Sequence, residues 1–453
     1  MTLSYSRSID VVARPDVLVC GAGCAGIGAA VAAARSGART MVVDRMGFAG
    51  GFFTAIVGSA FDGFTDQVTG LPAVGGVVFE MLERMDVLKG RDPRVTSFTV
   101  NGEVLEIADR PDWLVPRCDP ERFKKAADEI LRDSGVTSLF HTQVSDVVTR
   151  DGRIAAVVVS NKSGLVAIEP KQVVDCTGDG DVAAWAGAPF ELREDLQPMS
   201  LHFRVINVVP TPALRAKCTQ ALAAAHRAGR VGTYGGPSLH SFAPNEIYFN
   251  TVRVRGNGTV PEDWTRVEQQ GRQDAWTIFQ IFKEELPEFK DAYFFQSGPV
   301  AGARETRRIL GEYVLTEDDV RQGRTEPDVI VLGAGRLDRH PVFPPGQHVR
   351  HVVAPYDISY RTLLPLGVEN LLVAGRCHSA TSEALASSRL TATAMGMGQA
   401  AGVAAAMATA RGSTPRDVPI AQLQATLRAQ GAILERPPVP ASVPRASHVA
   451  QLA

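Results

Sequence analysis

Residues 16–44 read DVLVCGAGCAGIGAAVAAARSGARTMVVD and carry the pattern of a strand, a helix and a second strand. The runs DVLVC and TMVVD are short and apolar, which is typical of buried strands. The small-residue segment between them has helical character and stops at Gly37, a residue type common just after helix ends. Because such a helix carries the chain back to its start, the two strands run parallel in one sheet. The stretch therefore predicts a βαβ unit of an α/β fold.

The turn between the first strand and the helix carries the pattern Gly21-x-Gly23-x-x-Gly26. Gly21 permits the tight turn, Gly23 lets a pyrophosphate approach the backbone, and Gly26 lets the helix pack closely on the strand. The helix N-terminus offers free N–H groups to phosphate. Asp44 ends the second strand, where a carboxylate can accept hydrogen bonds from a ribose diol. Together these features predict a Rossmann-type dinucleotide-binding unit.

Composition narrows the class of protein. The 453 residues exceed a typical domain of about 150 residues, so more than one structural unit is expected. The 47 Lys and Arg residues against 49 Asp and Glu argue against a nucleic-acid or anionic-membrane surface. The cysteines form no C-x-x-C pair, and the N-terminus has no apolar signal run. We predict no metal site, no membrane span and a cytoplasmic location.

Further glycine-containing segments follow the βαβ unit. Residues 45–54 read RMGFAGGFFT, directly after the ribose-binding position. Residues 171–181 read KQVVDCTGDGD, an apolar strand that runs into glycines, and residues 370–376 repeat this pattern as NLLVAGR. An Ala- and Gly-rich helix comes next, at 387–410. Backbone without side chains at several sheet ends favours a long, extended ligand.

Together these segments resemble one known family. They read DVLVCGAGCAGIGAA (16–30), VVDRMGFAGG (42–51), VVDCTGDGDVAAWAGA (173–188), ARETRRILGEYVLTEDDV (303–320), YRTLLPLGVENLLVAGRCHSAT (360–381) and GMGQAAG (396–402). Their combination and order are similar to those of FAD-dependent oxidoreductases related to fumarate reductase flavoproteins, over about residues 15–410. The resemblance implies an enzyme with a glutathione-reductase-like FAD domain.

The resemblance also implies which residues bind FAD. The fingerprint and Asp44 would hold the ADP half, the 50–54 loop would lie along the pyrophosphate and flavin, and Val144 would place its backbone near adenine. The helix opening near Ser388–Arg389 would direct its positive dipole at the flavin. The predicted cofactor-binding residues are Gly21, Gly23, Cys24, Ala25, Gly26, Asp44, Arg45, Gly50, Gly51, Thr54, Val144, Thr177, Gly178, Gly375, Arg376, Ser388 and Arg389.

Two departures from the family pattern matter. The segment GGFFT holds no histidine of the kind that carries covalent flavin in some relatives, so we predict noncovalent FAD. The dicarboxylate signature of the fumarate reductase branch is absent from residues 384–390, so the resemblance does not extend to a fumarate-like substrate.

The domain organisation follows from a change of pattern in the middle of the chain. The runs LHFRVINVV and NEIYFNTVRVRG alternate like antiparallel strands, and WTRVEQQGRQDAWTIFQIFKEEL is helical. We predict a discontinuous FAD domain (15–187 and 361–411), an inserted mixed α+β substrate or cap domain (188–360) and a Pro-rich C-terminal extension (412–453).

Three residues are candidates for catalysis. Arg304 lies in ARETRR, where helical spacing would place it beside Arg307 or Arg308 to clamp a carboxylate or a flavin phosphate; structural ion pairs are the alternative. His340 is a candidate acid or base, with an ordinary hydrogen-bonding role as the alternative. Arg361 precedes the strand that leads to the flavin and is a candidate for substrate positioning.

We expect hydride transfer between a small organic substrate and flavin N5, as in dehydrogenases and reductases. A flavin monooxygenase, or a binding or RNA-modification partner with structural FAD, are the alternatives. The expected partners are the substrate and an unidentified electron donor or acceptor, without nucleic acid or membrane. Self-association into a homo-oligomer stays open.

Overall fold

The computed structural model describes residues 6–66, 71–87, 97–100, 103–106, 116–211, 213–340 and 349–436. Its strands are β1 (Val11–Ala13), β2 (Val17–Cys20), β3 (Thr40–Val43), β4 (Ser97–Val100), β5 (Glu103–Glu106), β6 (Thr137–Leu139), β7 (Gln143–Arg150), β8 (Arg153–Asn161), β9 (Gly164–Ile168), β10 (Gln172–Asp175), β11 (Phe190–Glu191), β12 (Phe203–Ile206), β13 (Tyr234–His240), β14 (Glu246–Val252), β15 (Tyr293–Ser297), β16 (Arg308–Ile309), β17 (Val329–Arg339), β18 (Val349–Ser359) and β19 (Leu371–Val373). Its α-helices are α1 (Cys24–Arg35), α2 (Val77–Arg84), α3 (Pro120–Asp133), α4 (Asp181–Trp185), α5 (Leu214–Arg227), α6 (Pro261–Glu285), α7 (Glu317–Gln322), α8 (Ser382–Ser388), α9 (Thr391–Arg411) and α10 (Ile420–Ala429).

A five-stranded parallel sheet in the order β19-β10-β2-β3-β6 forms the centre of the molecule. Its strands are short and almost wholly apolar, because a parallel sheet is covered on both faces. Val17 and Val19 of β2 face the helical side, while Leu18 and Cys20 face a second sheet, β1-β9-β8-β7. The predicted Rossmann-type α/β fold is confirmed.

Helices α1 and α9 lie against each other over one face of the parallel sheet, and their backbones nearly touch. A Cβ atom at Gly398 would lie 1.9 Å from the carbonyl oxygen of Ala25, and one at Gly402 would lie 2.1 Å from that of Ala29. Because no side chain fits there, only a Gly- and Ala-rich sequence permits this contact. The close contact fixes the start of α9 near the fingerprint turn.

Another four-stranded sheet, β13-β14-β12-β15, is antiparallel throughout and carries its own hydrophobic core. Phe203, Phe249 and Phe282 stack in this core, which also contains residues of α5 and α6. The core spans residues 199–301. The long hairpin of β17 and β18 lies instead in the core around α1 and α9, so the separately packed part is shorter than residues 188–360.

The C-terminal region contains a helix that its Pro-rich composition does not suggest. Leu423 and Leu427 of α10 are fully buried in the core around α1 and α9, because their i, i+4 spacing places both on one face. Residues 437–453 of the predicted extension lie outside the described residues. Within the described ranges, no helix has both the length and the apolar content needed to cross a membrane.

Candidate cofactor and active site

A long cleft of about 1270 Å³ opens at the carboxyl ends of the parallel strands. Strand ends of a parallel sheet are the usual ligand site of such folds, because the helix N-termini point there. The lining residues belong to the fingerprint turn, the segments after β3, β10 and β19, the start of α9, and the cap loop around Val300. The segments that the sequence predicted to approach the cofactor thus meet in one place.

The three fingerprint glycines have different structural roles. Gly21 has a φ of 99°, and a Cβ there would lie 2.5 Å from the Cys176 carbonyl oxygen. A Cβ at Gly26 would lie 1.8 Å from the Gly21 carbonyl oxygen. Gly23 is different, because a Cβ there would meet nothing within 4 Å, at the N-terminus of α1. Gly21 and Gly26 are therefore needed for packing, whereas Gly23 leaves open space where a phosphate fits.

Asp44 lines the cleft, and its carboxylate accepts two backbone hydrogen bonds. One oxygen accepts the Ala22 N–H at 2.6 Å, and the other accepts the Met46 N–H at 2.8 Å. Burial raises the pKa of Asp44 above its ordinary value. A second cavity of about 490 Å³ continues from Asp44 and Arg45 along Thr142 and Val144. The predicted ribose and adenine positions are thus adjacent, at one end of the cleft.

The second glycine-rich loop lies on top of the fingerprint turn. Its Gly50 N–H donates to the Ala22 carbonyl oxygen at 2.8 Å, and a Cβ at Gly51 would lie 3.0 Å from the Cα of Gly23. The buried Thr54 hydroxyl donates to the Ala49 carbonyl oxygen at 2.9 Å. Gly51 therefore lines the cleft, while Gly50 and Thr54 hold the loop from behind.

Arg376 lines the cleft after β19. Its guanidinium pairs with Asp179 at 2.8 Å and donates to the Thr306 hydroxyl at 2.9 Å. A Cβ at Gly178 would lie 2.7 Å from the Arg376 side chain, so this glycine makes room for the arginine. The short loops after the neighbouring strands β10 and β19 are thus joined by an ion pair.

The helix α9, whose first residues line the cleft, begins later than predicted. The sequence places its start near Ser388–Arg389, but α8 ends at Ser388 and α9 begins at Thr391. The Ser388 hydroxyl donates to the Ala384 carbonyl oxygen at 3.2 Å inside α8, which turns it away from the cleft. Arg389 and Thr391 line the cleft in its place.

Most of the predicted cofactor residues meet at the two cavities. Those that line a cavity are Gly21, Gly23, Cys24, Ala25, Asp44, Arg45, Gly51, Val144, Thr177, Gly178, Gly375, Arg376 and Arg389. Those absent from both linings are Gly26, Gly50, Thr54 and Ser388. An extended dinucleotide fits this arrangement, because the backbone is bare at Gly23 and Gly51 and a carboxylate stands at the ribose position.

Two of the three catalytic candidates, Arg304 and His340, lie in the same region, whereas Arg361 lies apart from them. Arg304 is buried, and its Nη1 donates to the Pro198 carbonyl oxygen. His340 is buried with its Nε2 3.0 Å from an Asp338 carboxylate oxygen, and burial together with the charge of Arg304 lowers its pKa. Arg361 lies at a separate surface cavity, so the structure does not place it at the cofactor cleft.

Helical spacing is the wrong geometry for the segment that holds Arg304. Residues 303–307 are not helical, and Arg308 begins β16, which pairs with β11. The arginines consequently point to different partners. Arg307 pairs with Asp181 at 2.8 Å, while Arg308 pairs with Glu191 at 2.9 Å and also with Glu305.

The inner end of the cleft is formed by residues that the sequence did not single out. Phe52, Ile56 and Trp264 provide apolar walls, and Asp62 is a carboxylate among them. The cap loop docks here through backbone, with the Val300 N–H donating to the Ala55 carbonyl oxygen at 3.1 Å. Only the position of Asp62 shortly after the 45–54 loop could have drawn attention to it.

The matching protein family agrees with this geometry. Residues 16–427 match the family described as FAD dependent oxidoreductase. The chain belongs to that family. FAD is therefore the cofactor of this oxidoreductase, and the chain is an enzyme, as the sequence motifs implied. The fingerprint, the 45–54 loop and the strand ends after β10 and β19 are the parts that would hold FAD.

This FAD-dependent oxidoreductase is similar to several characterised proteins. It shares 29% identity over 143 residues with the tRNA uridine 5-carboxymethylaminomethyl modification enzyme MnmG of Granulibacter bethesdensis, which is 30% of this chain and 20% of that enzyme. Among solved structures, a geranylgeranyl bacteriochlorophyll reductase-like protein of Thermoplasma acidophilum matches at 14% identity and a TM-score of 0.47, over 92% of this chain and 84% of that chain. The myxobacterial chondrochloren halogenase CndH matches at 15% identity and a TM-score of 0.46, over 92% of this chain and 79% of that chain.

Proposed function

We propose that this enzyme is a dehydrogenase or reductase that moves a hydride between a small organic substrate and the flavin of FAD. The observation that carries the proposal is the inner end of the cleft, where Asp62 stands among apolar side chains. Bound FAD supplies the two-electron redox chemistry. The chain's own residues must then bind the substrate, exclude water and handle one proton.

The apolar side chains at the inner end of the cleft determine which substrates can bind. Phe52, Trp264 and Val300 line the inner end from both the cofactor domain and the cap. A pocket at a domain interface with apolar walls and few polar groups is typical of small-molecule sites. These walls favour a compact organic substrate and keep water away from the reacting carbon.

Asp62 is placed to handle the proton. Within the ranges that the structure describes, no donor lies within hydrogen-bond distance of its carboxylate oxygens, and no cation lies within 4.0 Å. In the oxidative direction the substrate C–H bond breaks and its electron pair leaves as hydride. The proton of the neighbouring O–H or N–H goes to the Asp62 carboxylate, and reduction reverses both transfers. The electrons then pass to a separate acceptor.

Anaerobic bleaching of the flavin tests the proposal. The holoenzyme is mixed without oxygen with a panel of small alcohols, amines and hydroxy acids, and absorbance is followed. We expect at least one compound to bleach the flavin, and Asp62→Asn to slow bleaching by about 100-fold or more, as for loss of a general base. Asp291→Asn, at an exposed position paired with Lys290, is the control and should bleach like the wild type.

Two results would overturn the proposal. Oxygen consumption that requires both NADH and an organic compound, without anaerobic bleaching by that compound, would indicate a monooxygenase. A flavin that stays oxidised with every substrate and every reductant would indicate a structural cofactor.

A further inference from the structure

Arg304 is a buried arginine that has no counter-charge among the residues the structure describes. Its exposed fraction is 8%, and across the described residues no carboxylate lies within 4.0 Å of it. Its one hydrogen bond in that part of the chain goes to the neutral Pro198 carbonyl oxygen. Burial, reinforced by Arg253 and Arg389, lowers its pKa well below the ordinary value. A guanidinium held in this way is unfavourable unless an anion joins it.

Two further arginines lie near Arg304 and oppose its charged form. Arg253 is 3% exposed, and its Nη1 donates to neutral oxygens of Ser200, Asn250 and Val252 at 2.7–2.9 Å. Arg389 on the other side lines the cleft and donates to the Asp338 carbonyl oxygen at 3.0 Å. Asp338 is the acid that most favours the charged form of Arg304.

A neutral hydroxyl–imidazole pair lies in the same region. The Tyr248 hydroxyl is 2.8 Å from His202 Nδ1, and both side chains are 2% exposed. Burial, with the charges of Arg304 and Arg253, lowers the pKa of His202 well below its usual value, so the ring is neutral at pH 7. Burial also raises the pKa of Tyr248, which therefore keeps its proton. The pair offers hydrogen bonds but no negative charge.

This basic region adjoins the cleft. Ala303, the residue before Arg304, lines the cleft wall, and so does Phe52. The Phe52 ring stands edge-on to the His202 ring with the centroids 6.0 Å apart. Arg304 and His202 are thus next to cleft-lining residues, although neither is itself part of the lining.

We propose that the substrate of this enzyme carries a carboxylate, which Arg304 binds with help from the Tyr248 hydroxyl. The inference rests on the proposed function, because it names the class of compound that occupies the same cleft. Guanidinium and carboxylate form charge-assisted, often bidentate hydrogen bonds, which neutral substrates cannot make. The bound anion supplies the missing counter-charge.

The experiment uses the oxidised holoenzyme and no turnover. Acetate, propionate and benzoate are titrated against acetamide, propionamide and benzamide, with flavin absorption and melting temperature as readouts. We expect the carboxylates to perturb the flavin spectrum and raise the melting temperature, and the amides to do neither. Arg304→Met should weaken carboxylate binding by about 100-fold, and Arg304→Lys should restore part of it.

Melting temperature separates a binding role from a structural one. Because Arg304→Met removes an uncompensated buried charge, the variant without ligand should melt at or above the wild-type temperature, although it binds carboxylates less well. Arg230→Gln, at an exposed cap arginine paired with Glu284, should change neither readout. Tyr248→Phe gives a second variant that removes only a hydroxyl and should weaken binding less.

The inference fails if amides bind as well as carboxylates to the wild type, a comparison that needs no variant. It also fails if Arg304→Met melts far lower while carboxylate affinity is unchanged. Flavin bleaching by a neutral alcohol or amine alone would leave the proposed hydride transfer standing and remove only the carboxylate.

Discussion

The two ends of the cleft are built in different ways. At the nucleotide end, bare backbone at Gly23 and Gly51 forms the wall, and Arg376 pairs there with Asp179. At the cap end, side chains form the wall, and Arg304 is buried without a carboxylate within 4.0 Å in the described part of the chain. The arginine of the first end thus has a counter-charge from the chain itself, whereas the proposed substrate carboxylate would supply the counter-charge of the second. A wall of bare backbone suits a cofactor that a whole family shares, and a wall of side chains suits a specific substrate.

The nucleotide end should be most sensitive to a single methyl group at Gly26. A Cβ there would lie 1.8 Å from the Gly21 carbonyl oxygen, so α1 must move away from β2. Alanine favours a helix over glycine by up to about 1 kcal/mol, but overpacking of this kind costs about 3 kcal/mol or more. We expect Gly26→Ala to lose at least about 2 kcal/mol of unfolding free energy and to be purified without flavin. Urea unfolding and absorbance at the flavin band measure both.

Gly23→Ala is the matched control, because its Cβ would meet nothing within 4 Å. The variant should unfold within about 0.5 kcal/mol of wild-type apoprotein, as a substitution without a clash does. Its FAD affinity should nevertheless fall, since the methyl group takes the space next to the α1 N-terminus. Equal losses of stability in the two variants would contradict the distinction between packing and phosphate-facing glycines.

The same difference between the two ends determines how much of the site could be predicted from the sequence. The fingerprint glycines and Asp44 lie within one 29-residue unit whose geometry follows from backbone rules, so their positions were predictable. Asp62 and Trp264 come from segments far apart in sequence, and only tertiary packing brings them to the same cleft. Local spacing also gave a wrong prediction for ARETRR, which reads as a helix. Arg308 instead belongs to β16, which pairs with β11 and is extended.

Asp175 provides a prediction of intermediate size, at the strand end that leads to Thr177. Its carboxylate accepts hydrogen bonds from the Thr177 N–H, the Thr177 hydroxyl and the Ala183 N–H at 2.7–3.0 Å. Burial nevertheless outweighs these bonds and raises the pKa of Asp175 to about 6. A raised carboxyl pKa stabilises the fold below the unfolded-state pKa, and this contribution is lost as pH rises through about 6.

We therefore expect the stability of the wild type relative to Asp175→Asn to fall by about 2 kcal/mol between pH 4 and pH 7. Urea unfolding of both proteins across that range measures the difference, and taking the difference removes the contribution of the other carboxylates. A difference that is flat with pH, or that rises, would show that the hydrogen bonds to Thr177 and Ala183 dominate over burial.

The smallest effect is expected at Arg361, which the sequence placed in the active site. Its side chain is 41% exposed and pairs with Asp328 at 3.0 Å and Glu326 at 2.8 Å, at a surface cavity apart from the cofactor cleft. Half-exposed ion pairs contribute about 1 kcal/mol or less, so Arg361→Ala should lower the unfolding free energy by no more than that. FAD affinity and the rate of anaerobic bleaching should stay within about twofold of wild type, because the substituted position touches neither end of the cleft. A bleaching rate reduced by an order of magnitude, with FAD still bound, would contradict this expectation. It would show that the substrate-binding end of the cleft extends as far as the end of β18.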